Sequence, residues 1–168
     1  VSTVPNANGG LVVELRPMTA ADVPTVCALE QAIFPEDPWT PGMVDEELRA
    51  AGRHYVAAYA NTDGASGEIV GYAGITLGPD ADVMTIGVLP QWRGKGVGAR
   101  LLADLLSAAE AAGSERIFLE VRASNEAAQG LYRRYGFEII GRIRNYFRHP
   151  LEDAVTMLRE RADNTSVH

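Results

Sequence analysis

Three glycines alternate at positions 94, 96 and 98 within VLPQWRGKGVGARLL (88–102). They lie between a run that reads as a strand and one that reads as a helix N-terminus. Such a turn leaves several backbone N–H groups unpaired and pointing outward, and the helix dipole, Arg93 and Lys95 add positive potential. It can receive a pyrophosphate; the plainer reading is a flexible turn with incidental charge. Glu120 lies in the apolar run RIFLEVR (116–122), where Ile117, Leu119 and Val121 share one strand face and Phe118, Glu120 and Arg122 the other. A carboxylate there loses water, which raises its pKa and makes it a stronger base; an ion pair with Arg122 or a cross-strand arginine is the alternative. Tyr132 has Ala128, Leu131 and Tyr135 around it at helical spacing, so spacing alone makes it a packed core aromatic. Its hydroxyl, with a reference pKa of about 10, can nevertheless protonate a leaving group of comparable basicity.

The anion is narrowed by what the turn is not. Lys95 stands between glycines with no Ser or Thr after it, unlike G-x-x-x-x-G-K-S/T. Gly94, Gly96 and Ala99 formally satisfy the dinucleotide fingerprint G-x-G-x-x-G/A, with Glu120 near the end of the next strand. A dinucleotide fold begins with that turn, however, whereas only about 70 residues follow it here, too few for the remaining strands. Pro90-Gln91-Trp92 also separates strand from glycines.

Arg93-Gly94-Lys95-Gly96-Val97-Gly98 fits Q/R-x-x-G-x-G/A, and in this it resembles the acetyl-CoA pyrophosphate loop of the GNAT superfamily of N-acetyltransferases. The preceding MTIGVLP, the following LEVRASNEAAQGLYRRYGF, RNYF and EDAVTM near the end, and FPEDPW in the first half resemble the RimI-type N-terminal acetyltransferases. The resemblance spans roughly residues 12–160. It implies a co-substrate, acetyl-CoA, held by Arg93, Gly94, Lys95, Gly96, Val97, Gly98 and Ala99, with Ile86, Gly87 and Val88 meeting its pantetheine arm and Asn125 touching it or capping a helix. It implies Glu120 as the base that deprotonates the amine through water, and Tyr132 as the acid that protonates the departing thiolate. A backbone N–H near Val88 would polarise the thioester carbonyl.

For the acceptor, the resemblance implies Phe34 and Trp39 on one side of a peptide cleft and Tyr146, Glu152 and Asp153 on the other. Relatives often carry two adjacent tyrosines where this chain has Tyr146-Phe147, one hydroxyl fewer. The implied acceptor is the N-terminal alanine of a small-subunit ribosomal protein, with other protein N-termini. An α-amine, with a reference pKa of about 8, is far easier to deprotonate than a lysine at about 10.4. The competing readings are a small-molecule amine N-acetyltransferase of the same fold and a nucleotide-binding module without chemistry.

These residues require a frame. LVVELRP (11–17) reads as a strand, Thr19 as the cap of a helix running to Ile33, FPEDPWTP as a loop, and Thr40-Pro41 as the start of a second helix ending near Gly52. Runs at 53–60, 68–77 and 83–89 read as three antiparallel strands joined by turns at 61–67 and 78–82. A helix over 99–113, a strand over 116–122, a helix over 124–136 and strands over 137–147 and 154–160 follow. The order gives one α/β domain over 11–160: a mixed, mostly antiparallel twisted sheet of about seven strands flanked by about four helices. Residues 1–10 and 161–168 read as frayed tails.

Composition bounds the rest. The chain has 168 residues, a formal charge of −7 and one cysteine, Cys27, which cannot form an internal bridge and falls on a helix's apolar face. No run is long and apolar enough for a membrane span, and the first residues lack the pattern of a signal peptide, so a cytoplasmic protein without membrane or nucleic-acid partners is expected. His54, His149 and His168 show no metal-ligand spacing, and no metal is expected. Residues 1–92 carry 3 basic and 12 acidic side chains, whereas 93–148 carry 10 and 6. The basic segment suits a polyanion of modest size, or is a solvated face.

Overall fold

A computed structural model describes residues 2–5, 12–61 and 67–162. Most of the expected turn at 61–67, position 1, residues 6–11 and the tail from 163 lie outside them.

Among the described residues, eight strands form one sheet in the order β1-β2-β3-β4-β5-β6-β8-β7. They are β1 (Ser2–Pro5), β2 (Val12–Pro17), β3 (Arg53–Asn61), β4 (Glu68–Thr76), β5 (Asp80–Val88), β6 (Arg116–Arg122), β7 (Glu138–Arg148) and β8 (Leu151–Glu160). The helices are α1 (Val23–Ile33), α2 (Pro41–Arg49), α3 (Val97–Ala111) and α4 (Glu126–Arg134). Every neighbouring pair is antiparallel except β5 with β6.

Two strand limits correct the sequence reading. Ser2–Pro5, expected in a frayed tail, pairs with β2 along its otherwise open edge. The stretch Asp80–Asp82, expected in a turn, instead pairs in parallel with Arg116–Phe118. The first pairing joins neighbouring segments and the second distant ones, and in both the backbone ladder recruits residues whose side chains give no strand signal. At the other end, Arg161 still donates its N–H to the Glu115 carbonyl at 2.7 Å.

The sheet is covered on both faces, which explains why β4 shows no alternation and is buried from Val70 to Ile75. On one face α3 presents Leu101, Leu102, Leu105, Leu106 and Ala109 to β3, β4 and β5, each at 5% exposure or less. Burying a leucine side chain stabilises a fold by about 1.5–3 kcal/mol, so this stripe is a main anchor of the helix that follows the glycine turn. On the other face α1 and α2 pack Val26, Leu29, Ile33 and Val44 against Tyr55 and Tyr72, with Cys27 partly buried at the margin. Thr19 caps the entry to α1 through a short 3-10 turn, and Thr40 caps α2 with its hydroxyl accepting from the Met43 N–H at 3.2 Å.

The functional consequence of the topology lies between β5 and β6. Their pairing ends at Asp82 and Phe118, although β5 runs on to Val88 and β6 to Arg122. Beyond that point each strand pairs only with its outer neighbour, β4 or β8, so the sheet opens into a split.

Candidate active site

Each wall of the split is built by a strand and the segment after it. On the β5 side, Leu89 donates its N–H to the Val70 carbonyl, so strand alternation turns the N–H groups of Ile86 and Val88 away from β4 and toward the split. The Val88 carbonyl accepts from Arg93 Nε at 3.2 Å, which folds Arg93 back along the strand. A 3-10 turn over Pro90–Trp92 leads into the glycines, and Gly94 and Gly96 adopt φ of 75° and 84°. A Cβ at either would meet no atom within 4 Å; these glycines serve backbone conformation rather than fit. Gly96 is the N-cap of α3 without a side-chain cap, so the helix presents its first N–H groups to whatever lies ahead.

Ahead lies a cleft of about 320 Å³ lined by Val88, Trp92, Arg93, Gly94, Gly96, Val97, Gly98 and Ala99, and by Ala127, Ala128, Leu131 and Arg134 of α4. Seven residues expected to meet acetyl-CoA thus share one wall. Val97 does so through its backbone, since its side chain is 1% exposed in the core. Lys95 is exposed at the turn's tip, and Ile86 and Gly87 lie further along β5; none is part of this lining. Asn125 acts as the α4 cap, its Oδ1 accepting from the Ala128 N–H at 3.1 Å. Arg134, in the last turn of α4, escaped the sequence reading because nothing local ties that turn to the glycine loop. An anion between N–H groups, Arg93 and Arg134 fits this wall by charge and donor count.

On the β6 side, Glu120 is half-buried and shares its strand face with Phe118, as the period-2 pattern requires. Asp82 pairs with Phe118 in register, which brings a second carboxylate onto that face. Burial, then the Asp82 charge, raises Glu120 above its ordinary pKa; burial and Asp80 do the same for Asp82. Burial, followed by the charges of Glu120 and Asp82, also raises Tyr146. Glu120, Asp82 and Tyr146 therefore form one electrostatic group. Glu120 makes no ion pair with Arg122, which bonds instead to Glu152 and to the His149 and Pro150 carbonyls. Tyr132 stands edge-on to Phe137 at 6.0 Å, and burial pushes its hydroxyl up to about 12. It is both a packed aromatic and a phenol that stays protonated at neutral pH.

A second cleft, of about 280 Å³, opens between the α1–α2 loop and the β7–β8 turn, lined by Phe34, Glu36 and Asp37 on one side and Arg122, Phe147 and His149 on the other. Of the residues expected to hold an acceptor, Phe34 lines it. Trp39, Tyr146, Glu152 and Asp153 do not. Glu152 is bound by the Ser124 N–H and Arg122, which ties β8 to the end of β6, and Asp153 by the Asn145 N–H and Arg142, which braces the β7–β8 hairpin; these bonds lower the pKa of both carboxyls. Phe147, the residue without the second hydroxyl, stacks under the Arg122 guanidinium at 4.3 Å.

His54 pairs with Asp104 at 2.7 Å, joining β3 to α3. Among the described residues no group of His, Cys, Asp and Glu is arranged to hold a metal ion, and no helix is long and apolar enough to cross a membrane.

Residues 23–137 match the Acetyltransferase (GNAT) family. The chain is 40% identical over 157 residues to N-alpha-acetyltransferase RimI of Mycobacterium tuberculosis, covering 90% of this chain and 94% of that one. The crystal structure of the ribosomal-protein-S18-alanine N-acetyltransferase from Escherichia coli superposes with a TM-score of 0.77 at 25% identity, over 93% of this chain and 99% of that one. Arabidopsis thaliana NAA60 in complex with acetyl-CoA shares the fold, with a TM-score of 0.77 at 18% identity over 88% and 98% of the two chains. A split sheet with a glycine turn at a helix N-terminus on one wall, together with these likenesses, makes the chain a member of the GNAT family of acetyltransferases, of the RimI type.

Proposed function

We propose that the protein transfers the acetyl group of acetyl-CoA to the α-amine of a protein N-terminus, with the terminal alanine of a small-subunit ribosomal protein as principal acceptor. The observation that carries this reading is the pair of clefts on the split sheet: one offers N–H groups and arginines, the other Glu36 and Asp37 across from an Arg122 that is paired with Glu152. The name of the Mycobacterium tuberculosis relative supports the α-amine, and that of the Escherichia coli relative supports the ribosomal-protein alanine.

The residues divide the work as follows. The turn from Arg93 to Ala99, with Arg134, holds the pyrophosphate, and the β5 edge aligns the pantetheine arm as a neighbouring strand would. The Val88 N–H, or that of Ile86, polarises the thioester carbonyl. Glu120, raised by burial and Asp82, takes a proton from the acceptor ammonium, directly or through water. The new N–C bond forms as the C–S bond breaks, and Tyr132 gives its proton to the sulfur. Both reactants are held together, so no side chain is acetylated on the way.

Incubation with acetyl-CoA and a hexapeptide beginning with alanine, read by mass spectrometry, is expected to yield one acetyl group on the terminal nitrogen. Faster acetylation of polyamines or aminoglycosides than of the peptide would overturn the acceptor assignment. Binding of NAD or ATP in place of acetyl-CoA would overturn the donor.

A further inference from the structure

Glu30 has no part in the chemistry above, yet it is among the most deeply buried charged side chains, at 1% exposure. It projects from the face of α1 that carries Val26, Leu29 and Ile33, all apolar. A carboxylate in such a place is costly unless its oxygens are met by donors. They are met from two directions. Oε2 accepts from the Trp39 backbone N–H at 2.8 Å, and Oε1 accepts from the Tyr72 hydroxyl. Burial and the adjacent carboxylate hold that hydroxyl far above its ordinary pKa, so it remains a donor.

The donors belong to the two bodies that must meet in the reaction. Trp39 closes the loop whose Phe34, Glu36 and Asp37 line the acceptor cleft. Tyr72 lies in β4 opposite Gly87 of β5, the strand whose outer edge faces the split. The near end of the loop rests on the same place: a Cβ on Gly87 would come within 3.1 Å of Ile33 Cγ2 and the Phe34 ring. The loop is thus fixed at Phe34 by contact with β5 and at Trp39 by the carboxylate that also holds β4.

We propose that Glu30 is a positioning residue for acetyl transfer: its carboxylate, shared between the Trp39 N–H and the Tyr72 hydroxyl, sets the acceptor loop at a fixed distance from β5, so that a peptide amine seated on the loop reaches the thioester. The inference rests on the N-terminal acetyltransferase reading, but its test separates the two. A loop N–H bonded to a buried carboxylate exchanges slowly. In the unmodified protein the Trp39 amide is expected to exchange with deuterium at least about 100-fold more slowly than an open loop amide. Exchange at the open rate would overturn the proposal, whatever the activity.

Kinetics give the second arm. Glu30→Leu, which keeps volume and removes both acceptors, is expected to raise the peptide KM by about tenfold or more while the acetyl-CoA Kd stays within about twofold. Glu30→Gln, whose amide oxygen still accepts from Trp39 while the Tyr72 hydroxyl turns to accept from its N–H, is expected to recover most of the peptide KM. A peptide KM unchanged in the Leu variant, or acetyl-CoA affinity falling in parallel, would reduce Glu30 to a packing residue. If the Leu variant does not fold, the Trp39 exchange rate alone decides. Failure of the unmodified protein to acetylate any peptide would sink the functional reading and leave that rate readable.

Discussion

The proposed role sets Glu120 two opposing demands, to be ionised enough to accept a proton while half-buried in the sheet. Burial and the Asp82 charge raise its pKa, so the acid limb of the kcat/KM profile should lie above the ordinary carboxylate range. Asp82→Asn removes the like charge, favours ionisation of Glu120 and should move that limb to lower pH; an unmoved or upward-shifted limb would remove Asp82 from the site. Glu120→Gln should lower kcat/KM by about 10²–10⁴. The same substitution should raise Tm. A carboxyl with a raised folded pKa binds its proton more tightly folded than unfolded, so above that pKa the ionised side chain destabilises the fold and the neutral amide relieves this. The gain should vanish below the unfolded pKa, where both states are protonated, and thermal melts at neutral and acid pH check it. Tyr132→Phe keeps the contact with Phe137 and loses only the hydroxyl, so a fall in kcat with an unchanged melt assigns it to proton donation.

The elements that carry these residues differ in how far the sequence discloses them. The leucine stripe of α3 and the alternation of β6 appear in the structure as read, because each follows from contacts with the element's own period. The positions of the glycine turn and Glu120 were legible for that reason. Asp82, Arg134 and Glu30 were not: each owes its role to a partner on another element, across the β5–β6 register, the cofactor cleft and the α1–β4 interface respectively. Glu152 and Asp153 show the converse: of the acidic pair read as an acceptor wall, Glu152 ties β8 to the end of β6 and Asp153 braces the β7–β8 hairpin. The glycine turn yields a prediction of its own. Gly96 has a φ of 84° with open space where a Cβ would go, so Gly96→Ala meets no clash and costs only the left-handed conformation, about 1–2 kcal/mol. The loop can escape that cost by leaving the conformation that points its N–H groups at the pyrophosphate. Acetyl-CoA Kd should therefore rise by about tenfold, with the peptide KM little changed; calorimetry and initial rates separate the two.

The net charge of −7 conceals an arrangement that only the folded molecule displays. The basic segment supplies Arg93 and Arg134 to the cofactor cleft, the acidic first half supplies Glu36 and Asp37 to the acceptor cleft, and the opened β5–β6 pair stands between them. A polyanion would thus be drawn to one mouth of the split, and a cationic peptide end to the Glu36 and Asp37 side of the other. Raising salt from 0.1 M to 1 M shortens the screening length from about 10 Å to about 3 Å, which should raise both KM values. The two contributions are separable because they come from different segments. Replacing Glu36 and Asp37 together with lysine should raise the peptide KM at low salt and invert its salt dependence, since screening would then relieve a repulsion. The acetyl-CoA KM and its response to salt should hardly move. A peptide KM indifferent to salt in the unmodified protein would mean that the acceptor is held by contact alone, and that the acidic lip of the cleft is solvated surface.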